Sequence, residues 1–396
     1  MTAATPLAML NFFDPAFHHH SEAVAAAREA HWYARTPLGF AVLRYAEAAE
    51  LLRDRRLRQG AMEFLAAQGV TSGPAADWTR EGLLNAEGED HLRLRRLVSK
   101  AFTPRAINGM QPLMRAAAHR LIDEFAALGQ CEFMSAFADR YPAAVIFELL
   151  GIPAELHGPC AEWVADLGLI FSWTAGANVD RIEAALARLD EVTGELIAAR
   201  RRQPGTDLIS ALIAAEEAGD ALNEHELRNM ISALLFASQD TTRNQLGLAL
   251  ATFARHPAQW ALLADDPSLG PAAVEEVMRV NPATPFIPRV ADTDVDYQDL
   301  HAPTGTLITI LVAAAHTDPQ LFSPGFDVPA THPARQLSFG GGPHTCLGMG
   351  LARLEMGTAL PILAQRLGPI TLDGPPTYQP PTAIYGPITL QLRFRR

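Results

Sequence analysis

Apolar residues recur every three to four positions over 46–54, 91–101, 108–127, 139–150, 179–202, 224–255, 270–280 and 349–367, which predicts a helix over each stretch. Three short runs read instead as strands: "GFAVLRY" (39–45), "TLITILVA" (306–313) and "ITLQLRF" (388–394), each bounded by Gly or Pro. The class is mainly α with small β-sheets near the two ends. No internal repeat or low-complexity linker interrupts the pattern, so 1–396 reads as a single domain, with its β-containing part at about 30–60, 285–330 and 370–396.

The stretch 224–255 is the longest. Asn223 followed three residues later by Glu226 forms a capping-box pattern, and His256-Pro257 supplies a stop. At about 1.5 Å per residue the helix would run roughly 48 Å, enough to cross a domain. Its middle, "ISALLFA" (231–237), is apolar on every side and must be buried. "SQDTTRN" (238–244) follows at once, and buried polar groups are costly unless paired or used. Two readings stay open for Asp240, Thr241 and Thr242: hydroxyls bonded back to carbonyls one turn earlier, or a local gap in the helix that holds an acid and an alcohol as a proton relay.

Composition narrows the function. The chain has 396 residues, 48% of them hydrophobic, and a formal charge of −12. It has no lysine-rich run and only one lysine, Lys100, so nucleic acid is not an expected partner. Abundant Arg and Ala suggest a GC-rich bacterial genome. Cys131, Cys160 and Cys346 lack CxxC spacing, which argues against a disulfide framework or a zinc site. No run approaches the roughly 18 apolar residues of a membrane span, and the start lacks a basic stretch followed by an apolar one, so a soluble cytoplasmic protein is expected. His18, His19 and His20 read as a solvated turn, since no second ligand cluster stands beside them.

"FGGGPHTCLG" (339–348) places one cysteine among four glycines. A thiolate is a soft, strong metal ligand tuned by hydrogen bonds to sulfur. Glycines let backbone N–H groups point at the sulfur and let a flat group approach without meeting Cβ atoms. Helical pattern resumes in "GMGLARLE", so a helix N-terminus also favours negative sulfur. Two weaker patterns accompany it: Glu276 and Arg279, three apart on one helical face, and "HLRLR", with His91 and Arg95 one turn apart on a helix that also carries Arg93, Arg96 and Lys100.

Together these motifs resemble the cytochrome P-450 family of haem-thiolate monooxygenases. The pattern FxxGxHxCxG is met by Phe339, Gly342, His344, Cys346 and Gly348 and continues into "LARLE". ExxR is met by Glu276 and Arg279, the acid-alcohol pair by Asp240 and Thr241, and HxxxR by His91 and Arg95. The motifs come in the family's order and at its usual separations, so the resemblance covers the chain from about residue 10 to the end.

The resemblance implies the cytochrome P-450 fold, with its long central helix over a haem b. Cys346 would be the axial iron ligand and Phe339 would pack near its sulfur, while His91, Arg95, Arg289 and His344 would bind the propionates. Asp240 and Thr241 would deliver protons to dioxygen from an opened helix, so that one oxygen atom enters a C–H or C=C bond. Substrate would be a mostly apolar small molecule against Phe171, Leu234, Ala237, Phe286, Ile287 and Ile384, within wall segments 61–87, 165–178, 283–287 and 382–385. Electrons would come from a ferredoxin or flavodoxin attracted to Arg93, Arg96 and Lys100.

Three positions depart from the family pattern. Ser238 stands where Gly is usual and would fill the helix gap, join the proton network or narrow the pocket. Ala330 stands where an Arg completes the ExxR set; the next Arg is Arg335, and His332 is the candidate to satisfy Glu276. "AAAHTDP" (313–319) stands where Asn-Arg is common before Asp-Pro. Alternative functions are a non-hydroxylating haem-thiolate enzyme, peroxide-driven or isomerase-like, and a haem sensor or carrier. The intact acid-alcohol pair argues against both, and stoichiometric NADH and oxygen consumption discriminates.

Overall fold

A computed structural model describes residues 6–395 apart from 13, 15, 101, 218–221, 333 and 379–382. Residue 101 of the first basic helix and residue 382 of the last wall segment therefore lie outside the described residues. Eight helices frame the site: α1 (Gly88–Ser99), α2 (Gln111–Phe125), α3 (Arg140–Leu150), α4 (His157–Gly168), α5 (Val179–Arg202), α6 (Glu224–Arg255), α7 (Gly270–Val280) and α8 (Met349–Leu367). The strands that matter are β1 (Tyr33–Thr36), β2 (Gly39–Val42), β3 (Leu57–Gln59), β4 (Gln130–Glu132), β5 (Ile287–Ala291), β6 (Leu307–Ile310), β7 (Ile370–Leu372) and β8 (Gln391–Phe394).

Helix α6 runs unbroken over its 32 residues. The capping box forms in full: Glu226 N–H donates to Asn223 Oδ1 and Asn223 N–H to Glu226 Oε2, each at 2.9 Å. Its first half, through Ile231, Leu235 and Phe236, joins a core with α3, α4 and α5. Its second half, through Leu246, Leu250 and Phe253, joins another with α2, α7 and α8. Each buried Leu or Phe contributes about 1.5–3 kcal/mol, which fixes the helix between two hydrophobic layers. Packing is close at Gly247, where a Cβ would meet Pro387 Cγ at 2.6 Å and Met134 Sδ at 2.7 Å.

The larger sheet has the order β1-β2-β6-β5-β3. Within it β2 and β6 are parallel, in the register Gly39↔Leu307 to Val42↔Ile310, and the other pairs are antiparallel. A second sheet sets β8 between β4 and β7.

Two predicted strands are shorter than expected for a local reason. The run 39–45 ends at Val42 because Asp318 receives Arg44 at 2.9 Å and the Tyr45 N–H at 3.2 Å, which starts a helix at Tyr45. The run 306–313 likewise gives way to a helical turn at Val312. Helix α4 escaped the periodic reading because Gly158 and Pro159 interrupt its first turn. The histidine triplet needs a correction as well: His18 and His20 are exposed, but His19 is 1% exposed, lies edge-on to Tyr385 at 4.8 Å, and has no partner for either ring nitrogen. Among the described residues no group of His, Cys, Asp or Glu is placed to hold a metal ion.

Candidate active site

The glycine-rich loop folds as the residue types require. Gly340 and Gly342 take φ of 71° and 66°, a left-handed conformation that costs glycine nothing. These turns let the Cys346 N–H close back on the Phe339 carbonyl at 2.7 Å. Helix α8 begins at Met349, and the N–H groups of Gly348 and Met349 point at the Cys346 sulfur. Burial pushes the thiol above its ordinary pKa, while these N–H groups and the guanidiniums of Arg95 and Arg353 pull it down. Burial wins, so the loop by itself holds a thiol, and only a cation at sulfur would make it a thiolate. Arg353 sits 4.5 Å over the Phe339 ring and is anchored by Glu275 at 2.5 Å.

The sulfur's accessible face opens into an internal cavity of about 390 Å³. His91, Arg95, Arg289 and His344 all line this cavity, brought there by α1, β5 and the cysteine loop. His91 is 2% exposed, its Nε2 has no partner, and burial, with help from His344 and Arg95, lowers it to about 4. Arg289 is held by Gln59 Oε1 at 2.8 Å, and burial drops its guanidinium to about 10. Arg95 donates to the Thr345 carbonyl. Neither arginine has a carboxylate in ion-pair contact among the described residues, although Glu87 acts on Arg289 from a distance, and two cations facing one cavity without direct partners are expensive. They fit a flat group that carries two carboxylates at one edge and a metal over Cys346. Glu87, the last residue of the wall segment 61–87 and not singled out there, accepts from His344 Nε2 at 3.0 Å and contributes a carboxylate beside this set.

Opposite the sulfur, α6 presents Leu234, Ala237, Ser238, Thr241 and Thr242. Here the expectation of an opened helix is overturned: Thr241 Oγ1 donates to the Ala237 carbonyl at 3.2 Å, and the helical hydrogen bonding continues past it. Ser238 therefore fills no gap and simply lines the cavity. Asp240 does not line it; its carboxyl accepts from Asn244 at 3.1 Å beside Gly168 of α4, and burial raises its pKa against the pull of Arg243 and Asn244. A second acid was missed. Glu355, 1% exposed, bonds the Thr242 hydroxyl, leaves Oε1 without a partner, and is pushed well above the carboxylate range by burial. The signal was the lone acid in the apolar run after "LAR".

The remaining wall is aromatic and apolar. Phe171 stacks on Phe236 at 5.1 Å, Phe286 on Phe12 at 5.8 Å, and Phe64 lies against Trp173 at 4.5 Å. Ile287, Ala383 and Ile384 complete it. Phe12 and the 36–38 turn were not anticipated, because only folding brings the N-terminal segment over the cavity.

Glu276 and Arg279 lie outside the cavity in a buried network. Two bonds of 2.7 Å join them, and Arg279 also donates to the Gly325 carbonyl at 2.6 Å. With Ala330 in the usual arginine position, His332 Nε2 reaches Glu276 Oε2 at 2.9 Å and the Asp327 N–H reaches Oε1 at 2.9 Å. The basic face on α1 is smaller than expected: Arg93 is paired with Glu226, while Arg96 and Lys100 remain exposed.

The cytochrome P-450 family model matches residues 162–263 and 268–381. The luteothin monooxygenase of Streptomyces thioluteus is 39% identical, covering 98% of this chain and 96% of its own. The mycinamicin IV hydroxylase/epoxidase of Micromonospora griseorubida is 35% identical over 87% and 86% of the two chains. Among solved structures, the bacillaene polyketide synthase cytochrome P-450 of Bacillus subtilis 168 superposes with a TM-score of 0.86 at 29% identity, covering 96% of this chain and all of the other. Helix-rich architecture, a cysteine loop opening on a cavity with two unpaired arginines, and these relatives lead to one conclusion: the chain belongs to the cytochrome P-450 family of haem-thiolate monooxygenases.

Proposed function

We propose that Cys346 is the axial ligand of the haem iron, and that Arg95 and Arg289, with His91 and His344, hold the propionates. The observation that carries this reading is the pair of guanidiniums, neither in ion-pair contact with a carboxylate among the described residues, in the cavity onto which the sulfur opens. Bound there, the haem supplies the oxygen activation characteristic of the family. The N–H groups of Gly348 and Met349 orient the sulfur and share its charge. Thr241 and Thr242 offer hydroxyls on the opposite wall, and Asp240 and Glu355 are acids that burial keeps able to hold a proton beside them. Thr241 serves that role only after releasing the Ala237 carbonyl, so its hydroxyl is a switchable donor.

The substrate is a mostly apolar molecule with unsaturated or aromatic parts, which the stacked Phe171–Phe236 and Phe12–Phe286 pairs would hold flat. The aromatic wall excludes water from the reacting position. The named relatives are a luteothin monooxygenase and a mycinamicin IV hydroxylase/epoxidase, which agrees with oxygen insertion into an organic molecule.

Dithionite reduction under carbon monoxide will give a strongly red-shifted Soret band, and Cys346→Ser will lose it. A band at the position of a histidine-ligated haem would overturn the assignment. Electrons come from an external ferredoxin or flavodoxin that meets Arg96 and Lys100. Raising the salt from low to physiological ionic strength will slow first-electron transfer several-fold, as stopped-flow reduction would read; a rate indifferent to salt would remove these residues from the docking face.

A further inference from the structure

A second, larger cavity of about 960 Å³ lies behind the wall of the first. The partition is made by Gln245, which lines the first cavity, and Asn281, which lines the second; Gln245 Nε2 donates to the Asn281 carbonyl at 3.0 Å. Phe17, Phe322 and Phe326 give this cavity apolar surfaces, and no Asp or Glu lines it among the described residues.

Three arginines reach it. Arg279 is committed to Glu276, and Arg28 is spent on the Ala314 carbonyl at 2.6 Å and on Glu29 at 3.6 Å. Arg255, the last residue of α6, is exposed and has no carboxylate partner among the described residues. Beside it Tyr378 and Tyr385 stack at 5.4 Å. Tyr385 is 5% exposed, yet its hydroxyl has no hydrogen-bond partner among the described residues. Burial pushes its phenol up to about 12, opposed by the Arg255 guanidinium, so it stays a neutral donor at every ordinary pH. His20, exposed at the surface, adds an imidazole to the rim.

One guanidinium without a carboxylate partner, a phenol hydroxyl free to donate and aromatic surfaces, with no Asp or Glu among the described lining residues, form a receptor for an anion with a flat body. We propose that this cavity binds an aromatic or polyunsaturated organic acid, its carboxylate on Arg255 and the Tyr385 hydroxyl and its body against the phenylalanines. A cationic ligand would face Arg255 with no counter-charge, and a neutral one would gain no charged hydrogen bond from the guanidinium. The site is separate from the cysteine cavity and does not depend on which reaction runs there.

The test is equilibrium dialysis of the holoenzyme with 2-naphthoate while 4-phenylimidazole saturates the haem iron. One equivalent of naphthoate should bind, with no change in the haem spectrum. Arg255→Gln, at an exposed position that does not carry the fold, should weaken binding about tenfold or more, Tyr385→Phe several-fold, and the uncharged 2-naphthamide should bind at least tenfold more weakly than the acid. Naphthoate displaced by phenylimidazole, or held equally well by Arg255→Gln, would overturn the proposal.

Discussion

Alanine at both Arg95 and Arg289 will lower haem affinity by roughly two to four orders of magnitude, because each guanidinium gives a charged hydrogen bond worth about 1.5–3 kcal/mol to a propionate in a buried site. The haem-free chain should be no less stable than before, since both arginines stand in that cavity without a carboxylate partner and such charges oppose folding. The two signs together separate a cofactor-binding role from a merely architectural one. Haem transfer to excess apomyoglobin reads the first and urea unfolding of the haem-free chain reads the second. Lysine at both positions should restore part of the affinity but not all of it, as a point charge replaces a fork. Unchanged transfer rates in the double alanine variant would remove both residues from the haem site.

Glu276→Ala will have the largest effect on stability, about 3–5 kcal/mol, because it leaves the buried Arg279 without its bidentate partner. The Asp327 N–H and His332 lose their acceptor in the same step. His332→Ala keeps the Glu276–Arg279 pair and should cost less, about 1–2 kcal/mol. The acid sensitivity has a definite sign. Burial pushes the Glu276 carboxyl up, but Arg279, the Asp327 N–H and His332 together hold it below its ordinary value. Its contribution is therefore complete above the usual carboxylate range and is lost as the pH falls through that range and below. Urea midpoints at neutral and acid pH should show Glu276→Ala losing part of the wild-type acid dependence. A cost under about 1 kcal/mol at neutral pH would show that Arg279 is satisfied by the carbonyls of His316 and Gly325 alone.

Local chemistry explains what could be read from the sequence. Asn223 and Glu226 mark a helix start because the bonds they make span three residues, and "FGGGPHTCLG" marks a ligand loop because its glycines serve one nearby sulfur. His332 could be expected opposite Glu276 only by noticing a missing arginine. Two readings stay open for Thr241 in the sequence because its hydroxyl can bond back to Ala237 or turn into the cavity, and no local pattern separates the two; the structure shows the first. Arg93 was misjudged because its partner, Glu226, belongs to a helix far along the chain. Phe12 and Gln59 carried no signal at all, since their place at the cavity comes wholly from long-range folding, while Phe64 and Glu87 fell inside the wall segment 61–87 without being singled out.

The parallel pairing of β2 with β6 joins segments about 270 residues apart. A ribosome adding roughly 5–20 residues per second needs on the order of tens of seconds between the two. Throughout that interval β2 has no partner on one edge, and Arg289, on the strand beside β6, has not yet been made or placed. The cofactor pocket thus cannot be assembled progressively from the N-terminus. Loading must wait until the cysteine loop and the late strands have been made, and until then the nascent polypeptide exposes strand edges that invite chaperone protection.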